Sequence, residues 1–244
     1  MNKTIMLMTL KQFLNRPVRI FVLVACAGLP LMMSFMTRQV SRADSLNDTA
    51  ALEFTNMFVW VIAAGVIGQD VSDGILPLVF SRPVKRYEYV ISKWITVSLI
   101  ASVCAIIMAA VNTALYFGFT PQFFEHFKII IIGSQSFVMA MGLSAVMVLL
   151  SALLPGAADV GVVALLSTIA YILMIMQSSL HVPGMGEVSK NIFNVFYPKF
   201  MLEDINTFRD LFTYEVGRYF VITTGCITGA IAILNQKEFS YGSD

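Results

Sequence analysis

At 244 residues, the chain is 57% hydrophobic, only 13% charged and carries a formal net charge of +1. That composition excludes an ordinary soluble domain. The near-neutral charge also excludes a nucleic-acid binder, which needs a basic face to track phosphates.

In chain order, the leader comes first. Met6, Leu10, Phe13, Leu14 and Pro17 recur at helical spacing, with Lys3, Lys11, Asn15 and Arg16 mostly off that stripe. This predicts an amphipathic helix in the membrane interface, turned by Pro17 into a first span. Apolar runs long enough to cross about 30 Å of hydrocarbon are read at 18–36, 54–68, 94–119, 129–154, 160–180 and 219–234. The first is too long for the core of a cleaved signal peptide, and further spans follow it. The fold class expected is therefore all-α integral membrane, a single domain over 1–244 with six spans.

Orientation follows from lysine and arginine placement. Lys3, Lys11, Arg16, Arg19, Arg82, Lys85, Arg86 and Lys93 fall in the leader and the second-to-third connection, against Arg38 and Arg42 in the first-to-second connection. The N-terminus is expected inside and, with an even number of spans, the C-terminus too.

The segment from Gln69 to Lys93 is polar and turn-rich between two apolar runs, so it belongs outside the hydrocarbon. Within it Ile75, Leu76, Leu78, Val79 and Phe80 form an apolar cluster that needs a partner. The connection from His181 to Arg218 interleaves Phe193, Phe196, Tyr197, Phe200, Phe208, Phe212 and Tyr214 with polar residues, which predicts short helices at or dipping into the outer interface. In the last run, Gly225 and Gly229 are spaced for close backbone approach, either to a second chain or within the subunit.

Catalytic signatures are missing. There is no phosphate-binding G-x-x-x-x-G-K-[ST], dinucleotide G-x-G-x-x-G, H-E-x-x-H or G-x-S-x-G. His126 and His181 lie in separate connections and make no metal site by themselves. Cys26, Cys104 and Cys226 sit in apolar runs, without pairing or ligand spacing, and read as buried hydrophobes. The fifteen methionines read as flexible apolar filler. The expected spans hold neutral polar groups such as Asn112 and Gln135, suited to interhelical hydrogen bonds. No catalytic, cofactor-binding or metal residue is assigned.

Asp73-Gly74-Ile75-Leu76, then Ser81-Arg82-Pro83-Val84-Lys85-Arg86, then Lys93 opening a span, resemble the first cytoplasmic loop of type-2 ABC exporter permeases. The ending Asn235-Gln236-Lys237-Glu238-Phe239-Ser240-Tyr241-Gly242 is similar to that family's tail, and the layout of spans, leader and outer hairpin agrees along the whole chain. Pro77 falls within the stretch, and Lys85 stands where the family has Ser or Thr. The resemblance implies a non-catalytic permease subunit of an exporter in the inner (cytoplasmic) membrane. It implies pairing with a second permease copy or homologue and with two ABC ATP-binding subunits, which carry the ATP and Mg. It also implies a coupling helix over about Val71 to Ser81, with Asp73, Gly74, Ile75, Leu76, Leu78, Val79, Phe80, Arg82 and Arg86 at the ATPase contact. The alternative is a non-transporting subunit that transmits ATP-driven motion to extracytoplasmic proteins, as in assembly or maturation.

Overall fold

The computed structural model describes residues 3–17, 19–25, 27–28, 46–81, 84–117, 129–180, 184–200 and 213–236, and the described residues form helices and connections without strands. The helices are α1 (Lys3–Leu14), α2 (Leu46–Ala63), α3 (Gly68–Ser72), α4 (Ile75–Phe80), α5 (Arg86–Phe117), α6 (Ile129–Leu153), α7 (Ala158–Leu180), α8 (Met185–Phe196) and α9 (Tyr214–Gln236).

Four of them, α5, α6, α7 and α9, are long and apolar enough to cross a membrane. The expected runs at 129–154 and 160–180 match α6 and α7 closely. Of the expected first span, residues 19–25 and 27–28 are helical and the rest lies outside the described residues, as do His126, His181, Cys26 and the tail from Lys237.

Two boundaries differ from expectation for identifiable reasons. The second run is not one helix to Gly68: α2 starts at Leu46 and stops at Ala63, where Gly65 turns the chain at φ 61°. A side chain is strained in that left-handed region, whereas glycine is not. The third helix starts at Arg86 rather than Trp94, so the basic cluster before the apolar run is already helical. With 32 residues, α5 is about 48 Å long, well over the roughly 30 Å of hydrocarbon. Its charged first turns extend beyond the apolar layer.

The core lies where α5 packs on α2 and α6, with α9 packed on α6 and also against α5. Small residues allow the close approach typical of membrane helices. Ala101, Ala105, Ala140 and Ala145 are fully buried, and the Ser98 and Ser144 hydroxyls meet at 2.7 Å between α5 and α6. α7 instead packs chiefly on α8 and leaves Leu165, Ile169, Ile172 and Ile175 exposed, an apolar face suited to lipid.

α8 folds back along α7. Its Ser189 hydroxyl donates to the Ala170 carbonyl at 2.7 Å, and Tyr197, just past its end, meets the Ser167 hydroxyl at 2.8 Å. The chain then crosses α6 at Gly142, where a Cβ would lie 2.4 Å from the Pro198 carbonyl oxygen. Only a glycine lets the backbone come so near. Further along, Gln135 donates to the Phe200 carbonyl at 2.9 Å, Phe200 meets Tyr219 edge-on at 4.9 Å, and the Tyr219 hydroxyl donates to the Val138 carbonyl at 2.7 Å. Pro198 therefore reaches the middle of α6, and the following residues rise back toward its Ile129 end.

Candidate functional site: a polar joint at one end of the bundle

α1, the turn after α2, α3, α4, the start of α5, the α6–α7 turn and the end of α9 gather at the same end of the bundle. The α6–α7 turn meets the turn after α2 backbone to backbone. Gly156 N–H donates to the Gly68 carbonyl at 3.1 Å, and a Cβ on Gly68 would lie 2.5 Å from the Leu154 carbonyl oxygen.

Side chains complete the joint. The Ser151 hydroxyl accepts from Ile67 N–H at 3.0 Å and from Gly68 N–H at 2.9 Å. The buried Asp159 carboxylate, in the first turn of α7, accepts from Gly65 N–H at 3.1 and 2.9 Å and from Val160 N–H at 2.9 Å. It thus satisfies the Gly65 donor in the turn after α2 and sits at the favourable end of a helix dipole. The Ser72 hydroxyl accepts from Gly156 N–H at 3.1 Å.

On the other side lies a buried ion pair. Asp70 of α3 meets Lys93 of α5 at 2.9 Å, their side chains 6% and 2% exposed. The Tyr89 hydroxyl, one turn before Lys93, donates to the same carboxylate oxygen at 2.5 Å. Gln12 of α1 serves both charges, donating to Asp70 at 3.2 Å and accepting from Lys93 at 2.9 Å. A buried pair is tolerable only when its remaining hydrogen-bonding capacity is met, and Tyr89 and Gln12 meet it here. Arg16 and Arg19 both donate to the Gln69 amide oxygen, and Arg19 also donates to the Ala64 carbonyl at 2.6 Å. The N-terminal helix is thereby clamped to the loop that bears α3 and α4.

The residues expected at an ATPase contact fall into distinct groups. Asp73 is half-exposed and pairs with Arg16 at 3.2 Å, a surface contact of modest worth. Gly74 is exposed at φ 66° and separates α3 from α4, so the expected continuous helix over Val71 to Ser81 is two short ones. Pro77 fits within the first turn of α4, where its missing N–H leaves no helical bond unmade. Ile75 is half-buried.

Leu76 is fully buried, and Val79 and Phe80 pack against the same core. Leu78 alone of the apolar set projects outward, 70% exposed. Arg86, expected at the ATPase contact, donates to the Leu234 and Asn235 carbonyls at 2.5 and 2.8 Å and lies 5.6 Å from the Phe80 ring centre. It caps the last turn of α9. Arg82 lies outside the described residues.

The two glycines of α9 also separate. A Cβ on Gly229 would meet the Leu149 side chain of α6 at 3.1 Å, whereas one on Gly225 meets nothing within 4 Å.

Sequence reasoning missed Asp70, Tyr89, Gln12, Gln69, Ser151 and Asp159 and saw Lys93 only as the opening of a span. Tyr89 and Lys93 stand four residues apart, on one helical face. That signal was present, but only tertiary structure brings Asp70 and Gln12 to it. Among the described residues, no three of His, Cys, Asp and Glu gather as a metal site. The joint ties α1, the α3–α4 loop, α5 and the α6–α7 turn together through side-chain and backbone hydrogen bonds. No family model, curated protein or solved structure matches the chain.

Proposed function

We propose that the chain is the membrane subunit of an ATP-driven transporter of the type-2 ABC permease kind, working as an exporter. In this reading it sits in the cytoplasmic membrane with six spans and both termini inside. It pairs with a second permease copy and with two ATP-binding subunits that hold ATP and Mg. α1 lies in the interface, α4 is the coupling helix, and α8 belongs to the outer hairpin.

The observation that carries the reading is α4 itself. One face of this helix is locked in the core through Leu76, while Leu78 stands out 70% exposed at the charged end of the bundle. Exposed Lys85 and Tyr87 lie close by in sequence, with the Lys85 ammonium 5.8 Å from the Tyr87 ring centre. An anchored helix presenting one apolar residue among charges suits a partner that pushes on it, and the joint behind it would pass the motion to α5 and α7.

A photo-crosslinking amino acid at Leu78 tests this. It should yield an adduct with an ATP-binding subunit, mapped by mass spectrometry, while the same group at lipid-facing Leu165 should not. Adducts to lipid alone at Leu78 would sink the reading.

The second copy has its own prediction. Gly225→Leu should lower the dimer fraction and leave thermal stability unchanged, since its face of α9 is open. Gly229→Leu should instead cost about 1–3 kcal/mol of stability by overpacking against Leu149. Size-exclusion and unfolding measurements on both variants decide it. A dimer intact in Gly225→Leu would place the contact elsewhere.

A further inference from the structure

Between α7 and α8 lies an open groove of about 870 Å³, lined by Gln177, Lys190, Asn194 and Lys199 together with Met174 and Phe193. Its position makes its charge notable. Lys199 follows Pro198, which rests on Gly142, and precedes Phe200, whose carbonyl is held by Gln135. Gly142 is 13 residues into a helix of 25, so the Lys199 backbone lies roughly 10–20 Å from the nearer end of α6. A lysine at that depth is expensive unless it faces water or an opposite charge. Among the described residues, neither Lys190 nor Lys199 has a carboxylate within ion-pair reach, although Glu187 shares the groove.

We propose that this groove binds an amphiphile with an anionic head. Lys190, Lys199 and the amides of Gln177 and Asn194 hold the head, because ammonium and amide N–H groups are the donors a carboxylate or phosphate requires. Met174 and Phe193 take the chain, one flexible and one flat surface that accept an acyl tail without a fixed shape. The groove runs from the α7–α8 turn to mid-depth along the side of α7 that does not face lipid, so such a molecule enters from the membrane interface at that end with its tail still in an apolar environment. Two lysines against one glutamate favour an anion over a cation. The site needs only the membrane placement of α6 and α7, and it stands or falls separately from ATPase docking at the other end.

The test is photolabelling of the purified chain in phosphatidylcholine nanodiscs. One probe is a long-chain diazirine fatty acid, the other the matching neutral alcohol. The acid should label peptides of α7 and 185–200, and the alcohol far less. Lys190→Gln with Lys199→Gln should cut acid labelling by about tenfold or more, the loss expected when charge-assisted bonds go. Lys199→Arg should keep it. Phosphatidylglycerol added to the discs should compete, whereas free inorganic phosphate should not, because the tail is part of the ligand. Unfolding curves of the lysine variants should match wild type, as both side chains are exposed or at the rim of the groove. Equal labelling by acid and alcohol, undiminished labelling in the double glutamine variant, or competition by phosphate alone would each overturn the proposal.

Discussion

Asp70→Ala should destabilise the chain by about 3–5 kcal/mol, because it leaves the Lys93 ammonium buried and without its counter-charge. The Asp70–Lys93 contact of 2.9 Å is almost fully enclosed, and Tyr89 would lose its acceptor at the same time. Replacing both charges, as Asp70→Leu with Lys93→Met, should recover most of the loss, since no unpaired ion then remains. Denaturation of wild type, Asp70→Leu, Lys93→Met and the double variant in mixed micelles gives the coupling energy as a double-mutant cycle. Asp70→Ala within about 1 kcal/mol of wild type would show that Lys93 reaches water or another anion, a much weaker pair than this geometry describes.

Leu76→Asp should be nearly as damaging. The residue is completely buried and belongs to the core cluster that includes Phe58, Val90 and Leu234. A carboxylate there loses its hydration without gaining a described partner, which costs on the order of several kcal/mol or forces the helix out of place. The expected readout is a lower melting temperature and poor recovery from membranes, with or without any ATPase. The sequence resemblance places Leu76 at an ATPase contact. It is a core residue, and a lost partner in that variant would report unfolding.

The difference shows what was legible in the sequence and what was not. α6 and α7 are apolar from end to end, so composition alone located them. α5 was truncated in prediction because Arg86, Glu88 and Lys93 look like loop when only hydropathy is weighed. In the structure the Lys93 charge is neutralised from another helix, which no local window can detect. The six residues of α4 form one apolar word in the sequence. At about 100° per residue, however, Leu76, Val79 and Phe80 turn to one side and Leu78 to the other. Which side meets the core depends on Tyr89 and Phe80 packing edge-on at 5.6 Å, a contact between helices. The joint was invisible for the same reason: Gln12 to Asp70, Gly65 to Asp159 and Gly68 to Ser151 each join residues far apart in the chain. The glycines at 65, 68 and 142 carried no readable signal, because their need arises only where another backbone presses on them.

The central functional claim is that α4 presents Leu78 to an ATP-binding subunit. Leu78→Asp tests it without disturbing the core, because that side chain is 70% exposed. The variant should insert and unfold like wild type, while the ATPase subunit recovered with the tagged chain falls at least tenfold, equivalent to about 1.4 kcal/mol of binding. Lys190→Asp, at the opposite end, serves as the control and should retain the subunit. Recovery of the ATPase with a folded Leu78→Asp chain at the wild-type level would contradict the assignment of α4 as the coupling element.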